Sequence, residues 1–266
     1  QLPSGILGGV ALDPNSRFRL AVEFVTTMIC LYDALVLPFT LAWSIRSTMG
    51  ALIIRVIFLV FWYFEMGLNF FTGYYADGHL VIDIHHAAWR YLKTFFAFDL
   101  IINIIESASV LLEFLLIDSP AGSAVRIVRL AKLSRFARMM TVLNRLQSRF
   151  QNWGTDSSGF TLLGLASRLV FVLFILNHWV CCTWYLIGSL LDLSDTGKSW
   201  LDMEITSKGV QYRQAEERFQ YLTALHWAFT QMTPGSMAVV PQNSFERGWN
   251  VICLLIGLFA SSLLIS

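Results

Sequence analysis

Apolar runs long enough to cross a lipid bilayer follow one another along this chain, and they constrain its fold more than any single motif. An α-helix needs about 20 residues to cross the hydrocarbon, where its backbone polar groups must be satisfied within the segment. Runs of that kind fall at Leu20–Ser44, Ala51–Tyr75, Tyr91–Leu112, Ala121–Leu146 and Gly159–Leu190, and a sixth starts near Phe245. A shorter apolar stretch, Phe219–Met232, is too short to cross and reads as re-entrant. Hydrophobic residues make up 56% of the chain and charged ones 14%. An ordinary soluble domain carries about 25% charged residues. The deficit of polar surface excludes a typical soluble enzyme, a disordered regulator and a disulfide scaffold. The expected fold class is an all-α membrane protein, with six transmembrane helices and a re-entrant helix between the fifth and sixth.

The remaining chemistry is sparse. A net charge of +1 gives no global field for nucleic acid, so the lipid bilayer is the expected partner. Cys30, Cys181, Cys182 and Cys253 lie inside apolar runs without zinc-ligand spacing. His85 and His86 lack further evident ligands, so no metal site is expected. There is no nucleophile elbow, phosphate loop or phosphatase-like cysteine, so no catalytic residue and no cofactor are expected in this segment, and the chain does not read as an enzyme. Arg17 and Arg19, Arg90 and Lys93, and Arg145 and Arg149 fall on one side if the spans alternate, against Arg46 and Arg55 with Glu113 and Asp118 on the other. That bias favours a cytoplasmic N-terminus. The sixth run is still apolar at Ser266, so the sequence is expected to be a piece, or the ordered part, of something longer.

The fourth run is the unusual one. Arg126, Arg129, Lys132, Arg135 and Arg138 recur at every third position among apolar residues such as Ile127, Leu130 and Phe136. A charge at mid-bilayer costs about 2.5–3.5 kcal/mol on insertion scales. At period three the charges spiral around an α-helix and align on one face only in 3₁₀ geometry. Sliding such a helix along its axis moves each charge into its neighbour's place, which is the geometry a voltage sensor needs. One charge moved through 100 mV gains about 2.3 kcal/mol. A basic helix lying on the membrane surface is the plainer alternative, but it would gather its bases on one face at mixed spacing. Buried cations need counter-charges, and Asp33, Glu65 and Asp99 lie in the first three runs. Trp62 precedes Glu65 by three residues on the same helical face and could seal the interior.

Several stretches resemble one family. Leu68-Asn69-Phe70-Phe71-Thr72-Gly73 is similar to the end of the second segment of voltage-gated cation channels of the ether-à-go-go, hyperpolarisation-activated and cyclic-nucleotide-gated superfamily. Tyr91-Leu92-Lys93-Thr94-Phe95-Phe96 with Asp99-Leu100 resembles its third segment, Leu31-Tyr32-Asp33-Ala34 with Pro38 its first, His178-Trp179 with Trp184-Tyr185 its fifth, and Arg126–Arg135 its fourth. The resemblance implies a four-helix voltage-sensor domain over 1–150, a short linker over 151–158, and a two-helix pore domain over 159–266 with a truncated last helix. It also implies charge-transfer roles for Glu65 and Asp99, an aromatic plug at Trp62, a tetramer of like or mixed subunits, and a multi-pass place in a plasma or ciliary membrane. A cyclic nucleotide would matter only through a C-terminal domain outside this chain. His178 is expected to be a hydrogen-bonded structural residue.

At the position of that family's selectivity filter the chain has Thr233-Pro234-Gly235-Ser236-Met237, which departs from the pattern. Pro234 removes an amide and pushes Thr233 towards extended geometry. Gly235 permits an unusual φ. Ser236 puts a neutral hydroxyl where an acid or tyrosine would sit. The expectation is a wide, weakly selective pathway for a cation of unknown identity. A non-conducting voltage-sensing or modulatory subunit, or a channel of unusual selectivity, stands beside it. Gly257 is either a gating hinge or a packing glycine.

Overall fold

The computed structural model describes residues 9–45, 48–76, 79–115, 159–205, 209–233 and 235–265. The fourth apolar run with Arg126, Arg129, Lys132, Arg135 and Arg138, the 151–158 linker and Pro234 lie outside the described residues. The chain divides into two compact units, one of Gln1–Asp33 with Arg46–Gly154 and one of Ala34–Ile45 with Thr155–Ser266. Helix α1, Arg17–Ala42, therefore contributes its first part to one unit and its last turns to the other.

In the first unit α1 follows the turn at Asp13–Ser16, where the Ser16 hydroxyl accepts the Arg19 amide at 3.3 Å. Helix α2, Met49–Phe70, is capped by Thr48, whose hydroxyl accepts the Ala51 amide. It ends five residues before the expected Tyr75. The reason is a small antiparallel hairpin, β1 (Tyr74–Ala76) and β2 (His79–Val81), a departure from the expected all-α fold. The backbone near Leu12 joins it, with the Gly73 amide donating to the Leu12 carbonyl at 2.9 Å.

The expected third span, Tyr91–Leu112, is not one straight helix. It is α3, Ile84–Thr94, and α4, Phe96–Leu115, bent by 62° at Phe95. The physical reason is composition. Exposed His85, His86, Arg90 and Lys93 make α3 polar on one face, with Ala87 and Tyr91 buried on the other, whereas α4 carries the apolar run. Asp83 starts α3 by accepting the His86 amide at 3.0 Å, and that bond holds its carboxyl below the usual aspartate range.

Side-chain pairs give the register. Arg19 of α1 meets Glu65 of α2, and Tyr32 meets Phe58, so α1 and α2 are antiparallel. Asn103 of α4 meets Met66 of α2, and Glu106 meets Arg55, so α2 and α4 are antiparallel too.

The second unit contains α5 (Gly159–Ser189), α6 (Glu217–Met232) and α7 (Ser244–Ile265), with short 3₁₀ turns between α5 and α6. Its core is aromatic. Trp184 of α5 stacks on Trp227 of α6 at 3.8 Å, with Trp200 beyond it at 5.8 Å, and all three are almost fully buried. Trp43, just after α1, stacks on Tyr185 at 3.8 Å and donates its indole N–H to Gln220 at 3.2 Å. Among the described residues, α1, α2 and Val170–Ser189 of α5 are long and apolar enough to cross a membrane, and α3 with α4 qualifies as a bent pair. At 16 residues, α6 is too short to do so.

Candidate functional site

The interior of the first unit is ionic. Arg19 is 4% exposed, and its guanidinium lies 3.5 Å from Glu65, 3.6 Å from Glu23 and 2.9 Å from the Asn69 amide oxygen. One turn along α2, Trp62 is buried against Ile29 and Cys30 of α1, with Phe58 and Phe61 flanking it. Trp62 and Glu65 share the buried face, as their spacing requires. Further towards the start of α2, Arg55 sets one guanidinium nitrogen 3.1 Å from both Glu106 and the Ser109 hydroxyl, and the other against the Glu113 carboxylate. An apolar layer at Trp62 thus separates two ionic layers. Arg55 and Glu65 are ten residues apart, or about 15 Å along the helix axis.

The two acids at the ends of the expected counter-charge set lie at the margin of this interior. Asp99, in the first turn of α4, accepts the Tyr91 hydroxyl at 2.5 Å and is half-buried, as is Asp33 on α1. The sequence reading counts Arg19, Arg55 and Glu113 in the charge bias between the two sides, as if at the ends of spans, although Arg55 falls inside the second run. The structure corrects that, because all three are buried within the protein. A signal was present in α4, where Asn103, Glu106, Ser109 and Glu113 recur at three- and four-residue steps on the buried face of an apolar helix. Among the described residues of these helices, six acids are buried or half-buried (Glu23, Asp33, Glu65, Asp99, Glu106 and Glu113) against two arginines, Arg19 and Arg55.

In the second unit α6 delivers the backbone to Thr233. This residue closes the helix with its amide and its hydroxyl both on the Phe229 carbonyl, at 3.0 and 2.8 Å. Its φ of −128° and ψ of 157° are extended, as a following proline demands. The Gly235 amide donates to the Thr233 carbonyl at 2.7 Å, and Ser236 is exposed. Met237 packs against the tryptophan core. Gly257 of α7 is buried where a Cβ would strike the Gln231 carbonyl oxygen and come within 3.2 Å of the Met232 Cα, so this position requires close backbone approach between α7 and the end of α6.

Sequence reasoning gave Glu246 no role. It is fully buried in the first turn of α7, and its carboxylate accepts the amides of Trp200 at 3.1 Å and Gln242 at 2.8 Å. It ties the stretch after Met237 to the 3₁₀ turns. Around it, Asp195 accepts the Ser244 hydroxyl and amide, which lowers its pKa. Burial raises that of Asp202, but hydrogen bonds from Arg213 and Ser199 outweigh this and leave it low. His178 is hydrogen-bonded to the Leu35 carbonyl at 2.8 Å and the Tyr221 hydroxyl at 2.9 Å, a structural arrangement. Among the described residues no group of His, Cys, Asp and Glu side chains could hold a metal.

The family model described as ion transport protein matches residues 19–265. The chain belongs to the ion transport protein family. Relatives of this ion transport protein include the voltage-gated inwardly rectifying potassium channel KCNH7 of Mus musculus, 22% identical over 91% of this chain and 21% of the relative. The potassium channel AKT2 of Oryza sativa subsp. japonica is 27% identical over 94% of this chain and 28% of its own length. The voltage-gated delayed rectifier potassium channel KCNH5 of Homo sapiens is 24% identical over 90% and 25%. The chain thus spans about a quarter of the length of these relatives. The resemblance drawn from the segment motifs is borne out at the level of the voltage-gated cation-channel superfamily.

Proposed function

We propose that this chain is a voltage-gated ion-channel subunit, with a sensor domain over 1–150, a linker over 151–158 and a pore domain over 159–266. The observation that carries the reading is the interior of α1, α2 and α4. Buried carboxylates lie on either side of the Trp62 layer, Glu65 on one and Glu106 with Glu113 on the other, where passing cations can be received. The fourth run offers five at three-residue spacing. In this reading the fourth segment is a transmembrane helix and the chain has six spans with α6 as a re-entrant pore helix. Glu65 holds a passing guanidinium on one side of the Trp62 layer, and Glu106 with Glu113 holds one on the other. Asp33 and Asp99 add negative potential at the margins. An outward step of the helix moves each of Arg126, Arg129, Lys132, Arg135 and Arg138 towards its neighbour's position. With three charges per subunit in a tetramer, 100 mV supplies roughly 28 kcal/mol, enough for steep gating.

Four copies of α6 would place Thr233–Met237 around one axis. The segment carries no charged side chain, and the Thr233 carbonyl already receives the Gly235 amide. A rigid cage of carbonyls fitted to one dehydrated ion is poorly served by that arrangement. A weakly selective cation pathway fits it better. Gly257 serves as the point where α7 bears on the end of α6, and a pivot there would act on the filter's base. The multi-pass chain sits in a plasma or ciliary membrane with its N-terminus in the cytoplasm.

The test is to express the chain alone and record under voltage clamp with different cations on the two sides. Ionic current that reverses between the two cations' equilibrium potentials supports the reading. Charge movement without ionic current supports a non-conducting sensing subunit instead, and the absence of both contradicts it.

A further inference from the structure

We infer that the outward face of α3 docks on anionic phospholipid headgroups, with Lys93 and Arg90 on the phosphates and the Trp89 ring at the edge of the acyl chains. The inference goes beyond sensing and conduction. It needs only a chain that resides in a membrane, as its family and apolar helices show.

Position comes first. Helix α2 runs antiparallel to both α1 and α4, so α1 begins, α2 ends and α4 begins on one side of the first unit. The hairpin and α3 lie in the connection on that side. At 20 residues α4 has the length to cross the hydrocarbon, whereas α3 has 11 and is bent from it by 62°. A helix turned that far from a crossing one lies nearer the membrane plane than the membrane normal, at the bilayer surface.

The face suits that position. Ala87 and Tyr91 are buried against the protein. At 3.6 residues per turn the opposite face centres on Trp89, which is 59% exposed. On one flank lies exposed Leu92, and on the other exposed His86, Arg90 and Lys93. An apolar flank beside a basic one is the pattern of a helix lying in the interface, and tryptophan favours that boundary. The Lys93 ammonium rests 4.6 Å from the Trp89 ring centroid, so the two reach a similar depth. The Arg90 guanidinium is held 4.0 Å from the Tyr74 ring centroid and donates to the Tyr75 carbonyl at 3.4 Å. Among the described residues neither cation has a carboxylate partner, so both are available to an anion. Asp83, at the far end of α3, already meets His86 at 3.2 Å. With the cytoplasmic N-terminus proposed above, this face meets the inner leaflet, whose anionic lipids attract basic residues.

The test places the full chain in nanodiscs of equal parts phosphatidylcholine and phosphatidylserine, with bromine on the acyl chains of one lipid or the other. Bromine quenches a nearby indole, and subtracting the signal of Trp89→Phe isolates Trp89. Stronger quenching of Trp89 by brominated phosphatidylserine supports the inference, with a local enrichment of about fivefold for each basic residue at the surface. Lys93→Gln lowers that preference, and Arg90→Gln/Lys93→Gln abolishes it while Trp89 stays quenched. Equal quenching by both lipids in the unmodified chain overturns the inference, as does a preference that survives the double variant. Absence of quenching by either lipid also overturns it, and leaves the face to a soluble partner. Should the double variant fail to reconstitute, Lys93→Gln decides alone, since an unchanged preference there overturns the inference too. The discs present the same lipids on both faces, so the outcome is independent of the proposed orientation.

Discussion

The two units use similarly apolar helices to enclose opposite interiors. The first encloses ion pairs, Arg19 with Glu65 and Arg55 with Glu106 and Glu113, on either side of one tryptophan. The second encloses stacked indoles, Trp184 on Trp227 at 3.8 Å, and a glycine pressed against a backbone carbonyl. Buried ions are a costly way to hold helices together, and hydrophobic replacements of similar volume are often as stable or more so. Stacked aromatics hold a fixed geometry at no such cost. On the proposed sensing role, the ionic interior serves to exchange charged partners, and the aromatic one holds its geometry still.

The largest effect that sharpens this contrast is expected for Trp184→Ala. Removing a fully buried indole costs about 3–5 kcal/mol. Thermal unfolding in nanodiscs should fall sharply, ionic current should vanish, and charge movement should survive. Loss of charge movement in parallel would break the contrast. Next is Gly257→Ala, whose methyl meets the Gln231 carbonyl and Met232 Cα, which do not yield as a side-chain tip would. Overpacking of this kind costs about 1–3 kcal/mol. The measurable outcome is a lower unfolding temperature with altered open-channel current at unchanged gating charge.

A smaller loss, about 1–2 kcal/mol, is expected for Glu246→Gln, which weakens two charge-assisted bonds to the Trp200 and Gln242 amides. Changed reversal potential would tie that carboxylate to the shape of the filter, whereas reduced stability alone would confine it to the core.

The smallest effect concerns Asp202, whose pKa in the fold lies below the ordinary 3.8. A lowered folded-state pKa stabilises above the unfolded value and is lost as pH falls through the folded one. Unfolding midpoints should therefore drop below about pH 4, and Asp202→Asn should flatten that limb. The pair is partly exposed, so the change stays within about 1 kcal/mol. An unchanged acid limb would show that the Arg213 contact contributes nothing.

Much of this was legible in the chain because spacing and steric rules are local. Trp62 and Glu65 share a face by helix geometry alone, and Thr233 is extended because a proline follows it. What escaped was non-local or lacked a marker. The bend at Phe95 has no proline or glycine to announce it. Hydropathy treats a charge as a boundary, so it gives no sign that Arg55 and Glu113 lie inside, where they pair with each other across α2 and α4. Glu246 binds backbone amides, which no side-chain pattern reveals. The five cations of the fourth run remain a reading of the sequence, since they lie outside the described residues.

Whether those cations move is the central question, and gating current answers it most directly. Charge movement recorded with permeant ions removed should be present in the unmodified chain. It should disappear when Arg129, Lys132 and Arg135 are replaced together by glutamine. Charge movement of unchanged size in the triple variant would contradict the account.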